Sequence, residues 1–455
     1  MTTSARQPAT GSAKGALATL GIATDPGANE GIEGVRQAAF ARFAATGFPS
    51  PRAEQWRQLN VAALARRPLQ RAPLDTATIG TALSGGISGR LSRLAPDAPT
   101  LVLVNGVHRP ELDRLLPAHL SVHSLGNGSI SESAAVSALA AAQQNELEPW
   151  AMHDLSLALG GDMVEVRVAA GAGDLGKPLH VVHLAVGPYA DAVSAPRIRV
   201  VLEAGAELTL VEHVLADSLE RPVCLVHSRF ELAEEAKLRH LDLPRLGQGG
   251  LSIQRCEATV GRAASLESFH CALDDATART DFIASLDAEA ARFDFSALAL
   301  ARGPQQLDYL VRALHEAPHT HSEQTFKAIA TDRAQATFTT CARVAQDAQH
   351  IESQQLARGI LLSENAAIHT RPQLEIYADD VVCAHGATVG QLDEDALFYL
   401  RARGVPLAGA RAMLLDAFTE DLLGRLAETH VAAEARARAY AFTHADDLDP
   451  AGDNA

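Results

Sequence analysis

The spacing of hydrophobic residues changes character twice along the chain. Gly31 to Thr46 predicts a helix with Val35, Ala38, Ala39 and Phe43 on one face. Pro49 to Asn60, which contains Trp56, follows. The run Leu101, Val102, Leu103, Val104, then Asn105 and Gly106, predicts a buried strand ending in a turn. Ala134 to Trp150 again has helical spacing, so residues 26–150 are expected to form a mixed, mostly helical N-terminal domain. From Met163 the period shortens to two. Val164, Val166 and Val168 alternate with Glu165 and Arg167, as in a strand with one buried face. Similar runs recur at Ile198 to Leu202, Leu208 to Val214, Phe293 to Leu300, Phe338 to Val344 and Leu374 to Tyr377. After Gly390 the helical period returns. Asp393 to Arg403 and Pro406 to Leu426 read as amphipathic helices, the second with a stripe of Leu407, Ala410, Leu414, Leu415, Phe418, Leu422 and Leu423.

Between the short runs a small turn built around Ala repeats. It is seen at Gly205-Ala206-Glu207, Glu235-Ala236-Lys237, Ala263-Ala264-Ser265, Glu289-Ala290-Ala291, Arg333-Ala334-Gln335 and Asn365-Ala366-Ala367. Most intervals are near ~30 residues, the signature of a coiled β-solenoid. A β-sandwich also spaces its strands and turns regularly and stays as the alternative. Small side chains at the turns favour the solenoid, because they let successive rungs stack closely. The expected layout is a tail over 1–25, the N-terminal domain over 26–150, a β core over 151–390, a C-terminal helical domain over 391–445 and a second tail over 446–455. Both tails are expected to be disordered.

Composition narrows the class. Of the 455 residues 47% are hydrophobic and 21% charged, the balance of a soluble globular protein. Aromatics are only 4%, which leaves packing to Val, Leu, Ile and Ala. A net charge of -16 argues against binding a phosphate backbone, so nucleic acid is not an expected partner. The five cysteines, Cys224, Cys256, Cys271, Cys341 and Cys383, are scattered and contain no CxxC pair, as expected of free thiols in a reducing cytosol. No stretch reaches the roughly 18 to 20 apolar residues of a membrane span. Gly15 to Ala23 is the nearest approach to a signal peptide, but it carries Thr and Gly and lacks a clean cleavage pattern.

Two motifs imitate known chemistry. His315-Glu316-Ala317-Pro318-His319 spells the H-E-x-x-H zinc signature and raises the alternative of a zinc-dependent hydrolase, with His321 as a possible third ligand. That chemistry needs one helix through both histidines, and Pro318 interrupts it. His321 also fits a ladder of polar side chains on a solenoid face. Gly171 to Pro178 imitates a phosphate loop, but Pro178 stands where the metal-binding hydroxyl belongs and Leu179 to Val186 reads as a strand. A metal-free β-solenoid binding module is the remaining alternative.

The segment Arg371-Pro372-Gln373-Leu374-Glu375-Ile376-Tyr377-Ala378-Asp379-Asp380 runs on through Cys383-Ala384-His385-Gly386-Ala387-Thr388 to Asp393-Glu394-Asp395-Ala396-Leu397-Phe398-Tyr399-Leu400. It closely resembles the C-terminal signature of the SufB/SufD family of iron–sulfur cluster assembly proteins. Further matches lie in Ala317-Pro318-His319-Thr320 with Ser322, Phe326 and Lys327, and in Glu54-Gln55-Trp56-Arg57. Cys383-Ala384-His385-Gly386 is similar to the SufD branch, since the SufB branch has Glu after the histidine. The SufB branch also carries a cysteine one rung earlier, where this chain has Glu352-Ser353-Gln354-Gln355-Leu356.

The resemblance implies a right-handed parallel β-helix between an N-terminal domain and a C-terminal helical domain. It further implies pairing with a SufB-like paralogue, binding of a SufC-like ABC ATPase through the helices, a transient iron–sulfur cluster shared with the paralogue, and a bacterial cytoplasmic setting. A flavin occurs in some such complexes and is left open. ATP hydrolysis is expected in the ATPase and not in this chain. Cys383 and His385 sit two residues apart and share a face of a strand. Taken alone, Cys-x-His is a weak metal signal, and a buried small hydrophobe beside a turn histidine explains it better. The resemblance makes His385 the expected iron or cluster ligand, with Cys383 the weaker one. Two donors cannot complete a cluster, so others must come from another chain. Leu414, Leu415, Phe418 and Leu422 are the candidate contacts of the helical segment.

Overall fold

A computed structural model describes residues 20, 31–74, 79–80, 87–95, 97–125, 151–174, 176–217, 219–272, 276–426 and 430–445. The expected helix over 134–150 and the expected tails over 446–455 and most of 1–25 lie outside these residues. In chain order the strands are β1 (Gln70–Arg71), β2 (Thr100–Val104), β3 (Val107–His108), β4 (Leu120–Ser124), β5 (Val164–Val168), β6 (Leu179–Val186), β7 (Ala192–Ser194), β8 (Arg197–Leu202), β9 (Glu207–Asp217), β10 (Val223–Leu232), β11 (Lys237–Arg245) and β12 (Leu251–Val260). They continue as β13 (Ser265–Ala272), β14 (Thr277–Leu286), β15 (Arg292–Ala301), β16 (Gln306–His315), β17 (His321–Ala330), β18 (Gln335–Val344), β19 (Ile351–Leu361), β20 (Ala367–Ile376) and β21 (Val381–Gly390). The fold is mainly β, a parallel β-solenoid with helices before and after it in sequence.

The chain divides into two compact units, one of Met1–Leu208, His213–Glu231 and Leu246–Glu257, the other of Thr209–Glu212, Leu232–Arg245 and Ala258–Ala455. In the first unit the expected helix spans Gly31–Thr46 and packs on a helix over Ala151–Leu159. Ala39, Leu157, Ala158 and Met163 form their shared core, with Val35 partly buried against it, and Arg42 pairs with Asp154 at 2.6 Å. Ala38 faces solvent, which corrects its place on the apolar face. β2 turns into β3 through Asn105 and Gly106, both at positive φ (53° and 82°), as a two-residue hairpin requires. β5 shows the expected alternation, Val164, Val166 and Val168 buried, and pairs in parallel with β8.

In the second unit successive strands go alternately to two sheets. One runs β14-β16-β18-β20 and the other β11-β13-β15-β17-β19-β21. Pairing is parallel, with like positions stacked: Phe293 lies beside Ser322, Ser322 beside Ser353, and Ser353 beside Cys383. The turn alanines Ala236, Ala264, Ala291 and Ala334 are fully buried, each closing a turn onto the carbonyl three residues earlier. Glu235, Ala263 and Ala290, just before three of them, take a left-handed conformation (φ 53–60°). Although aromatics are scarce, Phe282, Phe293, Phe295, Tyr309, Phe326 and Phe338 pile up inside this unit, with Phe326 and Phe338 stacked at 4.8 Å. The expectation of a core built without aromatics is corrected there. The Leu374 to Tyr377 run falls at the end of β20. β20 ends at Ile376 and β21 forms the last rung.

Among the described residues three helices follow. Asp393 caps the first, Glu394–Arg401, its Oδ1 accepting from the amides of Asp395 (2.9 Å) and Ala396 (3.1 Å). Leu407–Leu423 and His430–Thr443 lie against the solenoid, burying Leu415, Leu422, Leu423, Ala435 and Phe442 on Phe269, Leu298, Leu300 and Ile329. Lys327, 2% exposed, ties this contact down: its Nζ donates to the Phe418 carbonyl (2.7 Å), meets Asp421 (2.5 Å) and lies 4.6 Å over the Phe418 ring.

Candidate functional site

β20 and β21 are the terminal strands of their sheets among the described residues. Each therefore leaves one row of backbone N–H and C=O groups without a neighbouring strand. On β19 the alternate residues Ile351, Ser353, Gln355, Ala357 and Gly359 are buried, so that parity points into the solenoid. The register carries it onto β21 as Val381, Cys383, His385, Ala387 and Val389. Cys383 and His385 are thus inward-facing residues of a rung that nothing covers. In earlier rungs this row is interior; here His385 is exposed and Cys383 half-buried. Around them Tyr377 and Val382 are 62% and 64% exposed, which leaves an apolar margin facing solvent.

The rung below supplies a polar floor. Ser353, beneath Cys383, shares a 2.9 Å hydroxyl contact with Ser322, whose Oγ is 2.9 Å from His315 Nε2. Gln355, beneath His385, donates to the Gln373 carbonyl at 3.3 Å, while its buried Oε1 has no hydrogen-bond partner. Gln324, one rung further in, has neither side-chain atom bonded. Such groups cost about 1–3 kcal/mol each when buried and unsatisfied. The sequence offered no sign of this floor, because it depends on register between strands.

Cys383 differs from the other cysteines. Cys224, Cys256, Cys271 and Cys341 are buried. Burial pushes the Cys224 and Cys341 thiols up to about 11 and raises Cys271 further. Cys383 is raised more mildly by partial burial, opposed by a hydrogen bond from the Ser353 backbone. It packs at the margin of Val344, Ala348 and Ile351. As a thiol it is a weak ligand until it loses its proton to a metal. Thiol and imidazole suit iron, yet they amount to two donors where a cluster needs more.

The other sequence candidates fall elsewhere. Leu415 and Leu422 are buried in the chain's own helix–solenoid core, which corrects their reading as partner contacts. Leu414 and Phe418 are half-buried, and Phe418 is engaged by Lys327. The exposed aromatics of the helical segment are Phe398, Tyr399 and Tyr440, of which the first two belong to the quoted signature. His315 ends β16 and is fully buried, its Nδ1 2.7 Å from Thr320 Oγ1, while His319 sits in the following turn at φ 59° and stacks on His350 at 4.7 Å. The helix required by zinc hydrolysis is absent from this segment. In the phosphate-loop mimic, Lys177 donates to the Asp97 carbonyl at 2.8 Å, and β6 follows as expected.

Comparison with known proteins bears on this end of the solenoid. The profile of the SUF system FeS cluster assembly SufBD core domain matches residues 185–418. A protein of Synechocystis named as an iron-sulfur cluster assembly SufBD family protein is 30% identical over 345 residues, 72% of this chain and 74% of the relative. The Escherichia coli iron-sulfur cluster assembly protein SufD is 30% identical over 264 residues, 58% of this chain and 62% of the relative. SufD of Bacillus subtilis is 22% identical over 231 residues, 50% of this chain and 53% of the relative.

Proposed function

The chain belongs to the SufBD family, and from that premise we propose that it is the SufD-like, non-catalytic scaffold subunit of an iron–sulfur cluster assembly complex. The observation that carries the reading is the uncovered last rung. His385 and Cys383 face inward on a strand with no successor, so a second chain docking on β20 and β21 would bury them and bring further ligands to the same place. A SufB-like paralogue is the partner we assign to that edge. The nascent cluster is cargo shared between the two chains.

In this scheme His385 offers an imidazole nitrogen and Cys383 a sulfur that must give up its proton as iron binds. Docking removes water from both and fixes their separation from the partner's ligands. The Ser353 backbone favours the thiolate form of Cys383. Phe398, 75% exposed, and Tyr399 on the first helix after the solenoid form the surface we assign to the SufC-like ATPase. ATP chemistry belongs to that partner, in keeping with a Gly171 to Pro178 turn that leads into a strand. Cysteines that form no disulfide fit the reducing bacterial cytoplasm, and among the described residues no helix is long and apolar enough to cross a membrane.

The test is iron and acid-labile sulfide per complex after co-expression with the paralogue and the ATPase. His385→Ala should lower both several-fold while the subunits still co-purify, and Cys383→Ala should do so less. Wild-type cluster content in the His385 variant would overturn the assignment.

A further inference from the structure

A second group of metal-binding side chains lies on the outer face of the solenoid. Asp294 on β15 and Glu323 on β17 are direct register partners. Like charges placed opposite one another on adjacent strands repel. His321 stands two residues before Glu323 on the same face of β17. One ligand atom from each of Asp294, His321 and Glu323 falls within 4.8 Å of the others.

The remaining donors of these side chains are already engaged. The other Asp294 oxygen, Oδ2, accepts from Arg292 Nε at 2.6 Å. Glu323 Oε1 accepts from Arg425 (2.8 Å) and Thr325 (3.1 Å). His321 Nδ1 is 3.2 Å from Glu352 Oε2. Two atoms that remain face each other across the group. Asp294 Oδ1 and His321 Nε2 are 3.8 Å apart, shielded from solvent, and without a hydrogen-bond partner. That distance exceeds hydrogen-bond reach, yet two ligands each about 2.1 Å from one metal ion span it at roughly 130°, wider than the tetrahedral angle. A carboxylate on the far nitrogen of a histidine is also how metal-bound imidazoles are oriented. Burial raises the Asp294 carboxyl above its ordinary value, opposed by the Arg292 hydrogen bond and charge, and a cation would relieve that penalty.

We propose that Asp294, His321 and Glu323 bind one first-row divalent cation, separate from the Cys383–His385 edge. One imidazole and two carboxylates suit Mn(II), Fe(II) or Zn(II) better than Mg(II) or Ca(II), which favour all-oxygen sites. Open positions on the ion remain for water. On the Glu352 side, His321 also lines a cavity of about 330 Å³ together with His319, His350 and Asp380, which reaches neither Asp294 nor Glu323. Arg292 and Arg425 offset part of the carboxylate charge, so the affinity is expected to be moderate. The inference rests on outward-facing residues and stands independently of the scaffold reading.

The probes are Mn(II), followed by electron paramagnetic resonance, and Zn(II), followed by equilibrium dialysis, on the full chain stripped with chelator. His321→Ala and Asp294→Asn should each remove one bound equivalent or weaken it at least tenfold, with the circular dichroism spectrum unchanged. Glu352→Gln should weaken it by about 10–100-fold without changing the stoichiometry. His385→Ala and Cys383→Ala should leave this equivalent in place. Unaltered binding in Asp294→Asn and Glu352→Gln, or no binding of either ion to the wild-type chain, would overturn the proposal.

Discussion

His227 and His315 show how single buried side chains set the acid limit of the protein. Burial, helped by the nearby Arg197 charge, brings His227 down to about 4, and burial with the charge of His321 brings His315 to about 4. His153 is driven low by burial and by His227. Because the folded values lie below the unfolded one near 6.5, the unfolded chain takes up protons first as the pH falls. The stabilisation from keeping these rings neutral is complete above about pH 6.5 and is lost down to about pH 4, on the order of 3 kcal/mol for each of His227 and His315. Urea midpoints measured from pH 7.5 to 4.5 should fall steadily, and His315→Gln should flatten the slope; a flat wild-type profile would contradict this. The same scale shows what a sequence can carry. Cys383 and His385 were legible as chemistry and as sharers of one strand face. That this face points inward, and that the rung above it is missing, follows only from the pairing with Ser353 and Gln355. His321 was legible as one rung of a polar ladder, whereas its convergence with Asp294 depends on a partner nearly a full turn away along the chain.

At the scale of elements, the period-two runs and the turn alanines foretold the solenoid because both express one constraint, a rung too narrow for large side chains at its corners. Ala291 tests the constraint. It is fully buried, so Ala291→Leu should lower stability by about 1–3 kcal/mol in urea unfolding. Glu289→Ala on the same turn should change it by less than about 0.5 kcal/mol. The helix His430–Thr443 was not resolved individually in the sequence, since its buried face is mostly alanine (Ala432, Ala435, Ala439) between Val431 and Phe442. Alanine marks helix and surface alike, and only packing against Leu298 and Leu300 reveals it as core. Lys327 belongs to a sequence motif, but its work is mechanical. It neutralises Asp421, whose carboxyl it holds below the ordinary value through a hydrogen bond and its charge. It also fixes the Leu407–Leu423 helix. Lys327→Met should cost about 1–3 kcal/mol, and hydrogen exchange should quicken in that helix ahead of β17.

For the molecule as a whole, the Phe398 and Tyr399 surface predicts a division of partners between two regions of sequence. Phe398→Ala with Tyr399→Ala should abolish co-purification of the ATPase while leaving the paralogue bound; retention of the ATPase would move its contact elsewhere. The end formed by β21 has a further consequence for the life of the chain before it meets any partner. Val381 to Gly390 contains no Lys, Arg, Asp, Glu or Pro, so it lacks the residues that ordinarily deter one sheet edge from joining another. On the proposed pairing, chains made in excess of the paralogue are expected to associate with each other through this strand, which size-exclusion chromatography of the chain expressed alone would show and a monomer would contradict. Under the proposed pairing, balanced synthesis of the two chains would serve solubility as much as assembly.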